Sequence, residues 1–566
     1  MAKDTTAEEV KNLHSARKAD MDGIFSTTWQ TLANYFLPQL SNINTDKTEG
    51  VVGWTDEIFD TTAIDANQIC AAGQRNWLTP SNEKWAAFTA SDLLPDKDEA
   101  EKWYAECTDI ALQMLANSNF YTNIHEFYLS RGGFGTAIFY VEPGRRNVLN
   151  FAQWQISTYC IQEDDEGFVD TMSRQFELTA RQAVMKFGLA NVGENIAKAY
   201  NAESQKAKDK KFTFIHEIRP RLEEERDRRK KGPEDMPYSS VYIETDPCRV
   251  ARKSGYEEQP FMVSRFLKWG KTPYGYAPSF LCLPNVRELN YIVRFIDALA
   301  ELRANPRVLV PSSLKGDVDM RSGGVTTVDD QLMQANVLPR EWMTQGDYPL
   351  AKDMIAMKQD SVKRAYFVDL FNMMNEAATQ SRERMTAEEV RARMSEKLEQ
   401  FSPTFDRMTT EVLNPLLKRV FGILYRGGHF PEPPASVMVP VGSKTHAPAM
   451  PEIQYTSRIA LQLRSLRNRA FTETVQVVGQ MAAQKPDIMD NFDVDTGVRE
   501  FALDQGLNPK LLRPMKKVTE IRAERLKQQQ AQQQLALAEQ AASAAGKLGK
   551  APPQLQERML NGNGLS

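Results

Sequence analysis

Two stretches with helical apolar spacing bracket a short segment of extended character, and this arrangement constrains the fold more than any other feature of the chain. In the first, Leu289, Ile292, Val293, Ile296 and Ala300 recur at helical intervals up to Asn305-Pro306, where the residue before proline is steered away from helix. Asn285 and Glu288, three residues apart, predict a capping box at its start. In the second, helical spacing resumes near Asp347-Tyr348-Pro349 and continues through Met354, Val362, Tyr366 and Leu370. Between them lie RVLVP, GGVTTV and ANVLP, short β-like pieces. Two helices of roughly 20 residues each are ~30 Å long at 1.5 Å per residue. The pattern predicts a helical hairpin with a small β head, leading into a polar loop, TQSRERM, that carries Arg382, Glu383 and Arg384.

A chain of 566 residues is long enough for roughly two to four structural units. Hydrophobic residues at 42% and charged residues at 25% are those of an ordinary globular protein. A formal charge of -4 and a pI near 6.0 argue against a surface basic throughout, as a dedicated nucleic-acid binder would have. No run approaches the ~18 to 20 apolar residues of a membrane helix, and MAKDTTAEEV is too polar for a signal peptide. Five scattered cysteines with no CxxC spacing predict neither a zinc site nor a disulfide framework, and fit a reducing compartment.

Thr6 and Glu9 predict a capped N-terminal helix that Pro38 stops, with Leu13, Ile24, Phe25, Trp29, Leu32 and Phe36 as its apolar residues. A second helix is predicted from about Thr61 to Trp77, with Ile64, Ile69 and Ala72 on one side. EKWAAF reads as extended, and a third helix spans about residues 96 to 116. FGTAIFYVEP, FAQWQISTYCIQ and GFVDTMSRQFEL read as strands between about 134 and 180. Residues 206 to 231 hold eleven Lys/Arg against six Asp/Glu and read as a solvated hairpin tip or exposed loop. Thr386 and Glu389 open another helix whose Val390, Met394, Leu398, Phe401 and Phe405 step by three and four, kinked near Pro403 and Pro415 and ending at Gly427-Gly428. Beyond residue 456 the chain reads helical, becomes rich in Lys, Gln and Ala, and ends in a tail without anchors.

Catalytic motifs fail one by one. WGKT lacks the glycine a phosphate-binding loop needs five positions before Gly270, since that residue is Arg265. In RGGFGTAI the third dinucleotide-binding glycine is replaced by Ile138, so the glycines predict a tight turn before a strand. His125-Glu126 has Leu129 where a zinc-binding helix needs histidine. Glu163, Asp164, Asp165 and Glu166 are acidic enough for a metal-dependent nuclease, but the following Gly167 fits a hairpin turn better. No nucleophile elbow occurs.

The segments WQTLANYFLPQL, NWLTPSNEKWAAF, RGGFGTAIFYVEP with IQEDDEGFVDTMSR, YGYAPSFLCLPNVRELNYIV and SRERMTAEEVRARMSEKLEQFSPTFDRMTTEVLNPLLKRVF follow one another over roughly residues 10 to 435. In that order they resemble the portal, or head-to-tail connector, proteins of short-tailed, podovirus-type bacteriophages. The resemblance implies a mixed α+β, predominantly helical portal fold, assembled as a dodecameric ring at one capsid vertex, through which DNA is packaged and later ejected. It assigns residues 1–283 to a wing, 284–304 to a first stem helix, 305–346 to a clip and 347–374 to a second stem helix. It makes 375–385 a tunnel loop, 386–455 a return through the wing, 456–546 a helical crown and 547–566 a disordered tail. Gln380, Ser381, Arg382, Glu383 and Arg384 would face the tunnel, and Lys352, Lys358, Lys363 and Arg364 the stem channel. Implied partners are double-stranded DNA without sequence preference, the terminase large subunit, tail adaptor and nozzle proteins, and major capsid and scaffolding proteins. No membrane, cofactor, metal or catalytic residue is implied. The chain would be found in the virion after assembly in the host bacterial cytoplasm. Two other readings of the residues remain: a nuclease built on Glu163–Glu166, and a helical scaffold assembling through residues 515–546.

Overall fold

The computed structural model describes residues 5–40, 42–43, 58–91, 94, 97–226, 232–304, 307–310, 312, 319, 327, 331, 334, 340–342, 348–379, 387–441, 445–461, 474–481, 493–504, 511, 513 and 515–548. Helix α1 (Thr5–Phe36) ends just ahead of Pro38, and its buried Met21, Phe25, Trp29, Leu32 and Phe36 recur every third or fourth residue. Thr6 lies within this helix rather than ahead of it. Helix α2 (Thr62–Leu78) forms where expected, but not with the expected face. Its buried residues include Ala63, Ala66, Cys70, Gly73 and Trp77, whereas Ile64, Ile69 and Ala72 are only half-buried. Small residues line this face because another helix lies close against it: a Cβ on Gly73 would collide with the Phe371 ring.

Strand β1 (Ala86–Thr89) and helices α3 (Lys97–Ala116) and α4 (Phe120–Phe134) follow. Gly135 turns α4 into strand β2 (Thr136–Pro143) at φ +80°, with its backbone against the Gly275 carbonyl, so only glycine fits. Strands β3 (Leu149–Trp154), β4 (Tyr159–Glu163) and β5 (Val169–Thr179) appear as the sequence predicts. Thr179 and Gln182 form a capping box that starts helix α5 (Ala180–Phe187), followed by α6 (Glu194–Asn201) and α7 (Gln205–Lys208).

The charge-dense stretch departs from expectation. Lys211–Pro220 is strand β6, with Phe214, Ile215, His216, Glu217 and Ile218 buried. It pairs with β5 on one side and β7 (Tyr238–Glu244) on the other, and β8 (Arg249–Tyr256) completes the antiparallel sheet β4-β5-β6-β7-β8. One face of that sheet packs on α1, where Ala7 and Val10 meet Ile215 and Ile243. The other face packs on α5 and α6 through Ala183, Phe187, Ile196, Phe214 and Tyr242. The buried polar residues of β6 are paired: His216 with Ser240 at 2.9 Å, and Glu217 with Arg17 of α1 at 3.1 Å.

Strand β9 (Phe261–Arg265) joins β2 and β3 in a second sheet, β3-β2-β9, at the centre of the main core. Helix α8 (Pro278–Ala304) starts with proline at its first position. It therefore begins well before Asn285, and the predicted capping box at Asn285 and Glu288 is not a cap. Strands β10 (Arg307–Leu309) and β11 (Arg340–Trp342) pair antiparallel, with RVLVP supplying β10; most of GGVTTV and all of ANVLP lie outside the described residues. The second long helix is broken. Helix α9 (Tyr348–Ala365) and helix α10 (Val368–Thr379) are separated by Tyr366 and Phe367, the latter at φ +57°. That conformation is costly for a bulky residue.

Helix α11 (Ala387–Met408) passes through a π-helical turn (Thr409–Leu413) into α12 (Asn414–Arg426), with Pro415 in the first turn of α12 and Gly428 at φ +68° beyond it. Leu398, Phe401 and Phe405 are buried as predicted; the side chains of Val390 and Met394, and residue Thr386, lie outside the described set. Strands β12 (Met438–Val441) and β13 (Thr445–Pro448) form a hairpin, and β14 (Glu452–Tyr455) returns to pair with β1. Helices α13 (Val494–Asp504) and α14 (Met515–Leu548) are joined by an Arg522–Asp495 ion pair at 2.5 Å. Up to residue 540, all of α14's described side chains are exposed except the half-buried Val518 and Ile521. The architecture is mixed α+β, predominantly helical, with antiparallel sheets.

Candidate functional site

Helices α8 and α9 lie side by side and leave the body together. Cys282, Val286 and Leu289 of α8 and Val362 of α9 are buried, whereas none of residues 291–304 or 351–361 is. The free part of α8 rises roughly 20 Å at 1.5 Å per residue. Asn285, Glu288 and Lys358 fasten its root. The Lys358 ammonium is 2.6 Å from the Glu288 carboxylate and donates to Asn285 Oδ1 at 3.1 Å, while Asn285 Nδ2 donates to Ser361 Oγ at 3.2 Å. Asn290 Oδ1 accepts the backbone N–H groups of Phe59 and Asp60, and Gln359 Nε2 donates to Asp60, tying both helices to the segment before α2.

Away from these ties the pair presents large apolar side chains to solvent. Leu281, Tyr291 and Phe295 of α8 are 58%, 71% and 62% exposed, and Met357 of α9 is 72% exposed. Of the predicted channel residues, Lys352 and Lys363 are exposed and eleven residues apart, three turns along one face of α9. Arg364 is exposed and paired with Asp360 at 2.8 Å, whereas Lys358 turns toward α8 as described. The five loop residues Gln380 to Arg384 lie outside the described residues. The flanks of that loop are pinned together: Phe367 and Phe371 meet the Phe401 ring edge-on at 5.4 and 5.8 Å, and Lys397 pairs with Asp369 at 2.9 Å.

Residues 6–512 match the family described as bacteriophage head to tail connecting protein. The chain is 29% identical over 539 residues to a probable portal protein of Bordetella phage BPP-1, covering 94% of each. It is 30% identical over 538 residues to the portal protein of Salmonella phage epsilon15, covering 93% of this chain and 92% of that one. The chain belongs to the bacteriophage head-to-tail connecting proteins. Its place is accordingly in the virion, where head meets tail, and its role is structural.

The body of this connector is braced by ion pairs between segments far apart in sequence. Glu411, in the π-helical turn, accepts from the Arg265 backbone N–H at 2.8 Å and from its guanidinium at 2.7 and 3.0 Å. The same guanidinium also pairs with Glu163 and donates to the Gly167 carbonyl at 3.0 Å, and Lys268 approaches Glu163 to 2.5 Å. Arg131 donates to Gln74 Oε1 and to the Thr404 carbonyl, stacks over Phe266 at 4.8 Å, and is lowered to about 10 chiefly by burial. Burial pushes the Glu258 carboxyl up, yet the hydrogen bonds and charges of Arg426 and Arg419 outweigh it and hold the group below its usual value. The acidic run is the β4–β5 hairpin turn: Glu163 is held as above, and Asp164 Oδ1 accepts the backbone N–H groups of Glu166 and Phe168. Among the described residues no group of three or more His, Cys, Asp or Glu is arranged to hold a metal, and no helix is long and apolar enough to cross a membrane. Residue spacing did not reveal this bracing, because its members come from separate parts of the chain.

Proposed function

We propose that copies of this connector close into a ring, with twelve as the expected number, whose bore carries double-stranded DNA into the capsid and out again. The supporting observation is the row Leu281, Tyr291, Phe295 and Met357 on a projecting helix pair. Large exposed apolar patches mark interaction surfaces, and head-to-tail contacts of a single chain form rings when the rotation between copies closes. In this reading α8 and α9 form the stem, the β10–β11 pair forms the clip, and the clip meets the terminase large subunit and later the tail adaptor and nozzle proteins. The outer body contacts capsid and scaffolding proteins during assembly in the host bacterial cytoplasm, and α13 and α14 contribute to a crown.

A conduit must touch DNA without retaining it. Fixed cations that each neutralise a phosphate make binding tight and strongly salt-dependent. On α9, Lys352, Lys363 and Arg364 are interleaved with Asp353 and Asp360, and the loop places Glu383 between Arg382 and Arg384. Adjacent carboxylates keep each contact brief, so the duplex is centred but free to move.

Native mass and electron micrographs of the purified chain test the assembly, and closed rings with a bore wider than a duplex are expected. A chain that stays monomeric or dimeric at high concentration would falsify the proposal. Replacing Arg382 and Arg384 by Ala is expected to alter packaging or DNA retention and leave rings intact. Loss of the ring in that variant would instead make the two arginines part of the subunit contact.

A further inference from the structure

We propose that the acidic β4–β5 turn of one copy seats in a basic groove on the body of the next. This rests on the ring reading above and names a contact that closes it. The groove, about 1360 Å³ in volume, lies between the β2–β3 turn, α5, β8 and the end of α12. It exceeds the ~300–1,000 Å³ of ordinary small-molecule sites, so it suits a segment of chain.

Its charge is unbalanced. Arg419 and Arg426 are bound by Glu258, which leaves Arg145, Arg146, Lys186 and Arg252 facing the lining carboxylates Glu142 and Glu257. Lys186 is held by aromatic faces, 4.8 Å from the Tyr242 ring centre and 5.2 Å from that of Phe176, which orient a cation without neutralising it. Burial holds the Lys186 ammonium below its ordinary value; Glu142 opposes this, while Arg174, Arg252 and Arg145 add to it. Met185, on the rim, is 61% exposed.

The β4–β5 turn has the complementary character. Asp165 and Glu166 are exposed, and Phe168 beside them is 49% exposed. The turn is preformed, because Asp164 Oδ1 accepts two of its backbone N–H groups at 3.0 and 2.8 Å. Acid therefore meets base, and Phe168 meets Met185.

The two features are also separated along β2. Arg265, opposite Thr136 in the β9–β2 pairing, holds Gly167 of the acidic turn, whereas Arg145 and Arg146 follow Pro143 at the far end of β2. Seven residues of strand put those ends roughly 24 Å apart. The turn and the arginines of the groove, set at the two ends of β2, do not meet within one protomer, and pairing them between copies makes a head-to-tail contact.

The experiment compares the full chain with R145E/R146E, D165R/E166R and the combination of all four changes, reading the fraction in rings by sedimentation against concentration. Each charge reversal is expected to raise the concentration for half-assembly at least about tenfold, and the combination to recover to within about threefold of the parent. Added salt is expected to weaken the parent ring through the same contact. Far-ultraviolet circular dichroism of each variant separates misfolding from failed assembly, and recovery in the combination cannot arise from misfolding. Rings that tolerate both reversals, or a combination no better than the worse single reversal, overturn the contact while the ring reading stands. A parent chain that forms no ring overturns the ring reading itself.

Discussion

The body and the projecting helix pair treat their side chains in opposite ways. Around β2 even the cations are buried: Arg131 has no exposed surface, and Arg265 is 3% exposed. On α8, some 25 residues further on, a tyrosine and a phenylalanine stand more than half in water. The first arrangement is that of a unit that completes its own core. The second leaves apolar area uncovered until another surface arrives, and at about 25 cal/mol per Å² that area is available to drive association. One chain therefore carries a platform that packs its own core and a stalk that leaves large apolar side chains uncovered.

The largest effect that could break this contrast lies at Glu411. Its carboxylate is 8% exposed and is the anchor for the Arg265 backbone N–H and guanidinium. Glu411→Ala leaves a buried guanidinium short of a partner, and chemical unfolding is expected to show a loss of about 3–5 kcal/mol. Glu411→Gln keeps an acceptor in place and is expected to lose less. A loss within about 0.5 kcal/mol for Ala, the range of ordinary surface changes, would mean that the body is not braced through the π-helical turn.

A smaller, pH-dependent effect tests the same platform. His216 is stacked on Tyr242 at 3.7 Å between ring centres. Its pKa is held well below 6.5, chiefly by burial and then by Lys186 of α5, Arg174 of β5 and Arg252 of β8. Tyr140 of β2 lies edge-on to it, and Ser240 of β7 is hydrogen-bonded to it. A depressed histidine binds its proton less readily folded than unfolded. Its neutral state is therefore fully tolerated above about pH 6.5, and stability falls as the pH drops below that value, by up to about 1.4 kcal/mol per unit. The buried Glu217 is shifted upward, mainly by burial, and acts in the opposite sense, so the parent must be compared with His216→Gln. The variant is expected to lose much of the acid sensitivity between pH 6.5 and 5. Equal slopes for the two proteins would place the acid-labile group elsewhere, His14 on α1 being the other buried histidine with a lowered pKa.

What the sequence disclosed follows the same division. Strands β2 to β5 were legible because β-branched and aromatic residues run between Gly, Pro and Asp punctuation. Strand β6 was not, although FTFIHEI carries its core residues, because lysines before it and arginines after it dominate the composition. His216 and Glu217 look solvent-facing until Ser240 and Arg17 are brought to them. The α2 face was missed because alanine, glycine and cysteine give a weak apolar signal even when they permit the closest packing. No proline or glycine marks the break at Tyr366-Phe367, where Tyr366 turns inward to donate to the Gly132 carbonyl at 3.1 Å. Of the proposed channel residues, Lys352, Lys363 and Arg364 are exposed, but the partner that draws Lys358 to α8 lies 70 residues earlier and is invisible to local spacing.

The smallest expected effect sharpens the contrast most. Tyr291→Ser with Phe295→Ser removes two rings that the isolated chain leaves 71% and 62% exposed. If these side chains do nothing for the body, the unfolding free energy of dissociated chains should change by no more than about 0.5 kcal/mol per site. Self-association, read by sedimentation on the same samples, should nevertheless fall, because the rings are the apolar area a neighbour would cover. A change of several kcal/mol in the dissociated chain would mean that α8 already buries these rings within its own protomer. Unchanged stability with unchanged association would remove the stalk's apolar row from the subunit contact. Only near-neutral stability combined with weakened association fits a stalk shaped for its neighbours.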